Sequence, residues 1–150
     1  MMKWDAPQCA IPLVIVCMQP YFLNVDLEIE SASGLDSLAA ELGKRVVVLH
    51  SGPAVESGGH HLTLENSRSH SGPDATIHAL CSAVEKLSPA SRRIWKAARK
   101  QFDVGYELRP SERFSRFALR PDTLERVAKL GACLAVTFYR GETDDAEEER

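Results

Sequence analysis

Five histidines, His50, His60, His61, His70 and His78, are the residues whose type and clustering first suggest chemistry. A structural or catalytic zinc site needs His or Cys ligands at short fixed spacings, so that one turn or loop presents two of them together. His60 and His61 are adjacent, and on a strand adjacent side chains point to opposite faces. His70 and His78 stand eight apart, with His70 ahead of the helix that carries His78. No closed ligand set emerges, and the expectation is a chain without metal or cofactor. The four cysteines, Cys9, Cys17, Cys81 and Cys133, contain no C-x-x-C pair. They read as free thiols packed as small hydrophobes, Cys81 on the apolar face of a helix, where a thiolate is disfavoured.

Other chemistries find less support. No Gly-x-Ser-x-Gly elbow presents a serine, and Gly58-Gly59 lacks the Lys-Ser/Thr that completes a phosphate loop. Glu28 and Glu30 share the wet face of one strand, where carboxylates are ordinarily solvated. The segment 92–126 is basic, with ten Lys or Arg (Arg92, Arg93, Lys96, Arg99, Lys100, Arg109, Arg113, Arg116, Arg120, Arg126) against five acids, an excess of 10 − 5, or +5. Phe114 and Phe117 interleave with Arg113 and Arg116, a mixture that can stack bases and neutralise phosphates. The same aromatics also fit the core of a short strand.

The elements that must position these residues follow from hydrophobic period. Ile11–Val16 is a short β-branched run, too short for a membrane helix and lacking a signal-peptide cleavage pattern, and it reads as a buried strand. From Leu23 to Glu30 the chain alternates strictly: Leu23, Val25, Leu27 and Ile29 face one way, Asn24, Asp26, Glu28 and Glu30 the other. That is a strand with one wet side. Leu35, Leu38, Ala39 and Leu42 give a short helix, with Gly43 as its left-handed stop. Arg45–His50 is a strand ended by Ser51-Gly52-Pro53, and 51–60 reads as a loose loop before a short strand at 61–65.

A second polar stretch, 66–72, leads to Pro73 and a helix whose apolar positions are Ile77, Leu80, Cys81, Val84 and Leu87. Ser88-Pro89 caps and opens another helix, with Ile94, Trp95 and Ala98 on its apolar side. Phe102, Val104, Tyr106 and Leu108 alternate with polar residues up to Pro110. A second short strand is expected at 114–119, then a helix from Pro121 with stripe Leu124, Val127, Ala128 and Leu130, stopped by Gly131. A last strand at 132–139 points Ala132, Leu134, Val136 and Phe138 to the core. From Gly141 the tail holds six acids and no large apolar residue, and reads as an unstructured appendage.

With 150 residues, 44% apolar and 26% charged, the chain has the composition of one globular domain over 1–140, and its net charge of −3 exerts no general pull on nucleic acid or anionic membrane. The expected fold is α+β: one mainly antiparallel sheet with helices on one face, in a split β-α-β or ferredoxin-like arrangement. The run Phe102-Asp-Val-Gly-Tyr-Glu-Leu, followed by Phe117 to Tyr139 with its helix ending Leu130-Gly131, resembles the end of the bacterial family catalogued as domain of unknown function 4279. Leu27-Glu-Ile-Glu with the helix ending Leu42-Gly43 is similar to that family's opening, and Leu80–Leu87 with Ser88-Pro89 to its central helix pair. The likeness spans roughly 23–140. It departs in the loop Ser57-Gly-Gly-His-His61, which lacks the family's usual basic, Trp-containing segment, and in the added run 11–18.

The resemblance implies a fold and no settled activity. A well-specified scaffold without a convergent catalytic set points to a cytoplasmic binding module that acts on a protein partner, with toxin neutralisation as its concrete form. The expected contact residues are Arg109, Arg113, Arg116, His60 and His61, on the turn 109–116 and the loops 51–60 and 66–72. The alternatives are a small ligand-binding domain or enzyme using the histidine-bearing loops, and nucleic-acid binding through 92–126. Strands 23–30 and 132–139 are the candidates for pairing with a second copy.

Overall fold

The computed structural model describes residues 18–110 and 117–141. The expected strand at 11–16, Arg113 and Arg116, and the acidic tail beyond Gly141 lie outside the described residues. β1 (Met18–Ser31), α1 (Asp36–Leu42), β2 (Val47–Pro53), β3 (His60–Glu65), α2 (Pro73–Glu85), α3 (Pro89–Ala97), β4 (Arg99–Pro110), α4 (Pro121–Lys129) and β5 (Cys133–Arg140) follow in chain order. They build one five-stranded sheet of order β2-β3-β1-β4-β5.

The α+β class is as the patterning implies. β1, β3, β2 and β4 pair antiparallel, and β3 sits between β1 and β2, so β1-α1-β2 is a split β-α-β unit. The order β2-β3-β1-β4 is that of a ferredoxin-like sheet. β5 extends it, pairing parallel with β4 through the crossover helix α4, and makes the whole sheet mixed.

Alternation decides which face is covered. Val25, Leu27 and Ile29 of β1, Leu62 and Leu64 of β3, and Phe102, Val104 and Tyr106 of β4 share the buried face. Against them pack Leu38 and Leu42 of α1, Ile77, Leu80, Cys81 and Val84 of α2, Trp95 of α3 and Val127 of α4. The apolar set expected for α2 is buried throughout, and Ser88 caps α3 by accepting a hydrogen bond from the Ser91 amide.

Several details differ from the sequence expectation. β1 is the central strand, so 23–30 offers no free edge. Gly43 is right-handed, at φ −59°, and its lack of a side chain answers a different need: a Cβ there would lie 2.9 Å from the Ala39 carbonyl oxygen. β2 runs on through Ser51-Gly52-Pro53, because pairing with Leu62, His61 and His60 outweighs their turn chemistry. Residues 117–120 are irregular rather than a strand. On α4 the buried positions are Thr123 and Val127, while Leu124 is 46% exposed and Ala128 also faces solvent. Gly131 does stop α4, at φ +66°.

Polar ties join the helices. Lys100, 8% exposed, folds its ammonium under the end of α3 and donates to the carbonyls of Trp95 (2.9 Å) and Ala98 (3.1 Å). Burial pulls its pKa below the ordinary lysine value, and a helix C-terminus is where a cation is favoured. Trp95 in turn donates its indole N–H to Leu130 O at 2.9 Å, holding the end of α4. Replacing Lys100 by Met leaves those carbonyls without their charged donor, and denaturant unfolding is expected to show a loss of about 1–3 kcal/mol. Tyr106 poses the opposite case: its ring lies among Phe22, Phe117 and Phe138, and its buried hydroxyl has no partner among the described residues. Tyr106→Phe is therefore expected to keep or raise stability, by up to about 1 kcal/mol in the same measurement.

Candidate functional site

The helices pack on one face of the sheet, and no helix among the described residues lies on the other, the bare face. On that bare face, register places Asp26 directly across from Glu65 on one side and Asp103 on the other. Glu28 stands next along β1, between Thr63 and Gln101, and Glu30 follows, between His61 and Arg99. Fixed hydrogen bonds order the surface. Asn24 donates to Asp26 at 3.0 Å, Gln101 to Glu28 at 3.1 Å, and Thr137 to the Asp103 carboxylate, 2.8–2.9 Å from its two oxygens. Burial, reinforced by Glu65, Glu28 and Asp103, pushes the Asp26 carboxyl up to about 6.

The bare face ends in two different corners. At one, Arg109 pairs with Glu107 at 2.5 Å and lies over the Tyr21 ring at 4.3 Å. At the other, a cleft of about 460 Å³ is lined by Glu30, His50, His61, Arg99 and the β2–β3 loop from Pro53 to Ser57. The rings of His50 and His61 stand 5.7 Å apart there. A bulge between Val48 and His50 turns His50 onto the bare face, diagonal to His61 across the β2–β3 pair. Spacing alone does not reveal that juxtaposition, since bulges leave no periodic mark and cross-strand register is non-local. Among the described residues, no group of three or more His, Cys, Asp or Glu is placed to hold a metal ion.

The expected contact residues therefore separate. His61 lines the cleft, while His60 precedes it on the opposite side of the strand, as adjacency requires. Arg109 pairs with Gln19, and His61 with Glu30, eleven positions along β1. At about 3.3 Å per residue the two corners are roughly 35 Å apart, so Arg109 and His61 do not form one site.

The basic segment is likewise dispersed. Lys100 is buried under α3, Arg99, Arg109, Arg120 and Arg126 pair with Glu30, Glu107, Asp122 and Glu85, and Arg92 donates to the carbonyls of Glu85 and Leu87. Cys81 is buried, with its thiol pushed up to about 11 by burial, whereas Cys133 is exposed on β5, against the expectation of a packed thiol. His78 and Asp74 converge on the buried Thr123 hydroxyl, which donates to Asp74 and is 2.9 Å from His78 Nε2. With its proton committed to Asp74, that hydroxyl accepts from His78 and serves as a tie between α2 and α4.

No family model, curated protein or solved structure matches the chain. The likeness to the domain of unknown function 4279 family thus rests on residue pattern. No helix among the described residues is long and apolar enough to cross a membrane.

The carboxylate cluster has a consequence for stability. A folded pKa raised from 3.8 to about 6 means the native state holds the Asp26 proton more tightly than the unfolded chain. The resulting stability is fully present below about pH 4 and is lost as pH rises through 6. Asp26→Asn removes that dependence. Thermal unfolding is expected to show the variant more stable at pH 7, by about 1 kcal/mol after allowing for solvent screening of a half-buried group, with the gain vanishing near pH 4.

Proposed function

We propose that this protein is a binding module whose bare sheet face engages a basic surface on a protein partner, and that neutralisation of a toxic partner is the concrete form of that role. One observation carries the reading. The bare face presents Asp26, Glu28, Glu30, Glu65, Asp103 and Glu107 against Arg99 and Arg109, a balance of 2 − 6, or −4, on one side of a chain whose net charge is −3. Side-chain hydrogen bonds hold several of these groups in place, so docking would order few of them further. A cationic partner would relieve the repulsion from Glu65, Glu28 and Asp103 that adds to burial in raising the Asp26 pKa, and complementary charge steers association and sets register.

The partner expected from this reading is a protein rather than nucleic acid, since phosphates would meet carboxylates on this face. Contacts move from Arg109, Arg113, Arg116 and His60, which the sequence favours, to the β1–β3–β4 acidic surface, with His61 at its margin. A second reading, a small-molecule site, is favoured by the cleft between His50 and His61, which is within the size range of ligand pockets.

Affinity capture from the native source, followed by mass spectrometry, is expected to recover a stoichiometric basic protein. Glu28→Lys with Glu65→Lys is expected to weaken that complex by at least about a hundredfold, roughly 2.7 kcal/mol, in titration calorimetry. A partner that binds the doubly reversed variant unchanged would remove the reading. A small molecule that stabilises the protein in a thermal-shift screen, and ceases to do so in His61→Ala, would favour the cleft instead.

A further inference from the structure

Away from the bare face, a pocket of about 180 Å³ opens where the end of α2, one side of α3 and the end of α4 meet. Val84, Leu87 and Trp95 line it, each no more than 5% exposed, together with half-buried Leu130. They meet there because the apolar stripe of α2 runs out at Val84 and Leu87, and Ser88-Pro89 restarts the chain as α3. Trp95 is fixed from two sides: its indole N–H donates to Leu130 O at 2.9 Å, and the Lys100 ammonium stands 5.6 Å from its ring. The apolar lining is therefore preformed, which spares a ligand the cost of ordering it.

The mouth of the pocket is cationic. Arg92, Lys96 and Lys129 stand around it against Glu85, all four exposed, a balance of 3 − 1, or +2, on a chain whose net charge is −3. Glu85 is itself committed, bonded by Arg126 at 3.1 and 2.8 Å. Arg92 gives one terminal nitrogen to the Glu85 and Leu87 carbonyls, which holds its guanidinium at the pocket and leaves further N–H groups to donate. Lys129 pairs with Glu125 at 2.7 Å, an exposed i, i+4 pair that water largely screens. Lys96 makes no salt bridge among the described residues. It lies one helical turn from Arg92 on the same side of α3, and two like charges so placed repel.

We infer that this pocket binds a small aromatic carboxylate, its ring packed on Trp95, Leu87 and Val84 and its carboxylate set between Arg92 and Lys96. An anion there turns the repulsion of the two cations into attraction for a shared partner. The planar guanidinium matches a carboxylate with two parallel hydrogen bonds, and the ammonium adds a point charge.

The lining selects the class of ligand. A bare inorganic anion would leave the buried apolar residues uncovered, and an uncharged apolar molecule would leave the cations unused. A ring offers the large flat contact that an indole favours, in offset or edge-on packing. The volume lies below the range for drug-sized ligands, so the occupant is one ring with a short arm. An amine is disfavoured by the charge at the mouth. No residue of this pocket belongs to the acidic face or to the cleft at His50 and His61, so the inference stands independently of the proposed partner surface.

Nuclear magnetic resonance titration of the full chain with 3-phenylpropionate is expected to move the Trp95 indole N–H and the amides of Leu87, Arg92 and Lys96. The shifts should saturate with a Kd of about 1 mM, as a ligand of this size allows. 3-Phenylpropylamine, with the same ring and the opposite charge, is expected to bind at least about tenfold more weakly. Lys96→Glu, at an exposed position of α3, is expected to weaken 3-phenylpropionate about fivefold while circular dichroism shows the fold retained. His61→Ala is expected to leave its binding unchanged. Absence of shifts at the named residues, equal binding of the amine, or undiminished binding by Lys96→Glu would overturn the inference.

Discussion

The structure depends on burying one side of β1. Val25, Leu27 and Ile29 are almost wholly removed from water at the centre of the sheet, flanked by Leu62 and Leu64 on β3 and by Phe102 and Val104 on β4. Successive side chains of a strand point to opposite faces, so the same backbone that buries these residues must present Asn24, Asp26, Glu28 and Glu30 on the other side. Covering that side would strip water from four polar residues in a row, at a cost of several kcal/mol for each unpaired charge. The helices therefore gather on one face, and the acidic surface is a direct consequence of the apolar one.

Helix placement is then refined by a few polar ties between segments distant in sequence. Glu41 of α1 accepts from the Ser88 amide and hydroxyl at the start of α3, at 2.6 and 2.9 Å. Lys100 and Trp95 bind the end of α3 to β4 and α4, and Asp74, Thr123 and His78 fasten α2 to α4. Each tie satisfies a helix terminus or a buried hydroxyl that would otherwise be left without a partner. They explain why several charged residues that look like surface chemistry in the sequence are committed to the scaffold.

Beside the pocket among α2, α3 and α4, what remains for recognition lies at the parts of the sheet the helices do not reach: the bare face, its cleft at His50 and His61, and the outer edge of β5. These surfaces are unlike one another in charge and shape. A polar, hydrogen-bonded face suits a charged partner that can be exchanged.

Local pattern was enough to place most of this fold. Strict alternation located β1 and β4, the i, i+3, i+4, i+7 spacing located α2, and Ser88-Pro89 marked the start of α3, because each of these signals is confined to a few adjacent residues. The α+β class and the split β-α-β order follow from them. The sequence did not disclose where β2 ends, that β5 runs parallel to β4 as an edge, that Lys100 is buried, or that His50 meets His61 through a bulge. Each of those depends on a neighbour far along the chain: pairing with β3 overrides the turn residues Ser51-Gly52-Pro53, and the carbonyls of α3 draw in the Lys100 ammonium. Leu124 fits an apolar stripe by spacing, yet α4 turns Thr123 inward to meet Asp74, and Leu124 is left facing the free edge. Residue pattern determined which faces could be apolar; only the tertiary structure decided which of those faces would be covered.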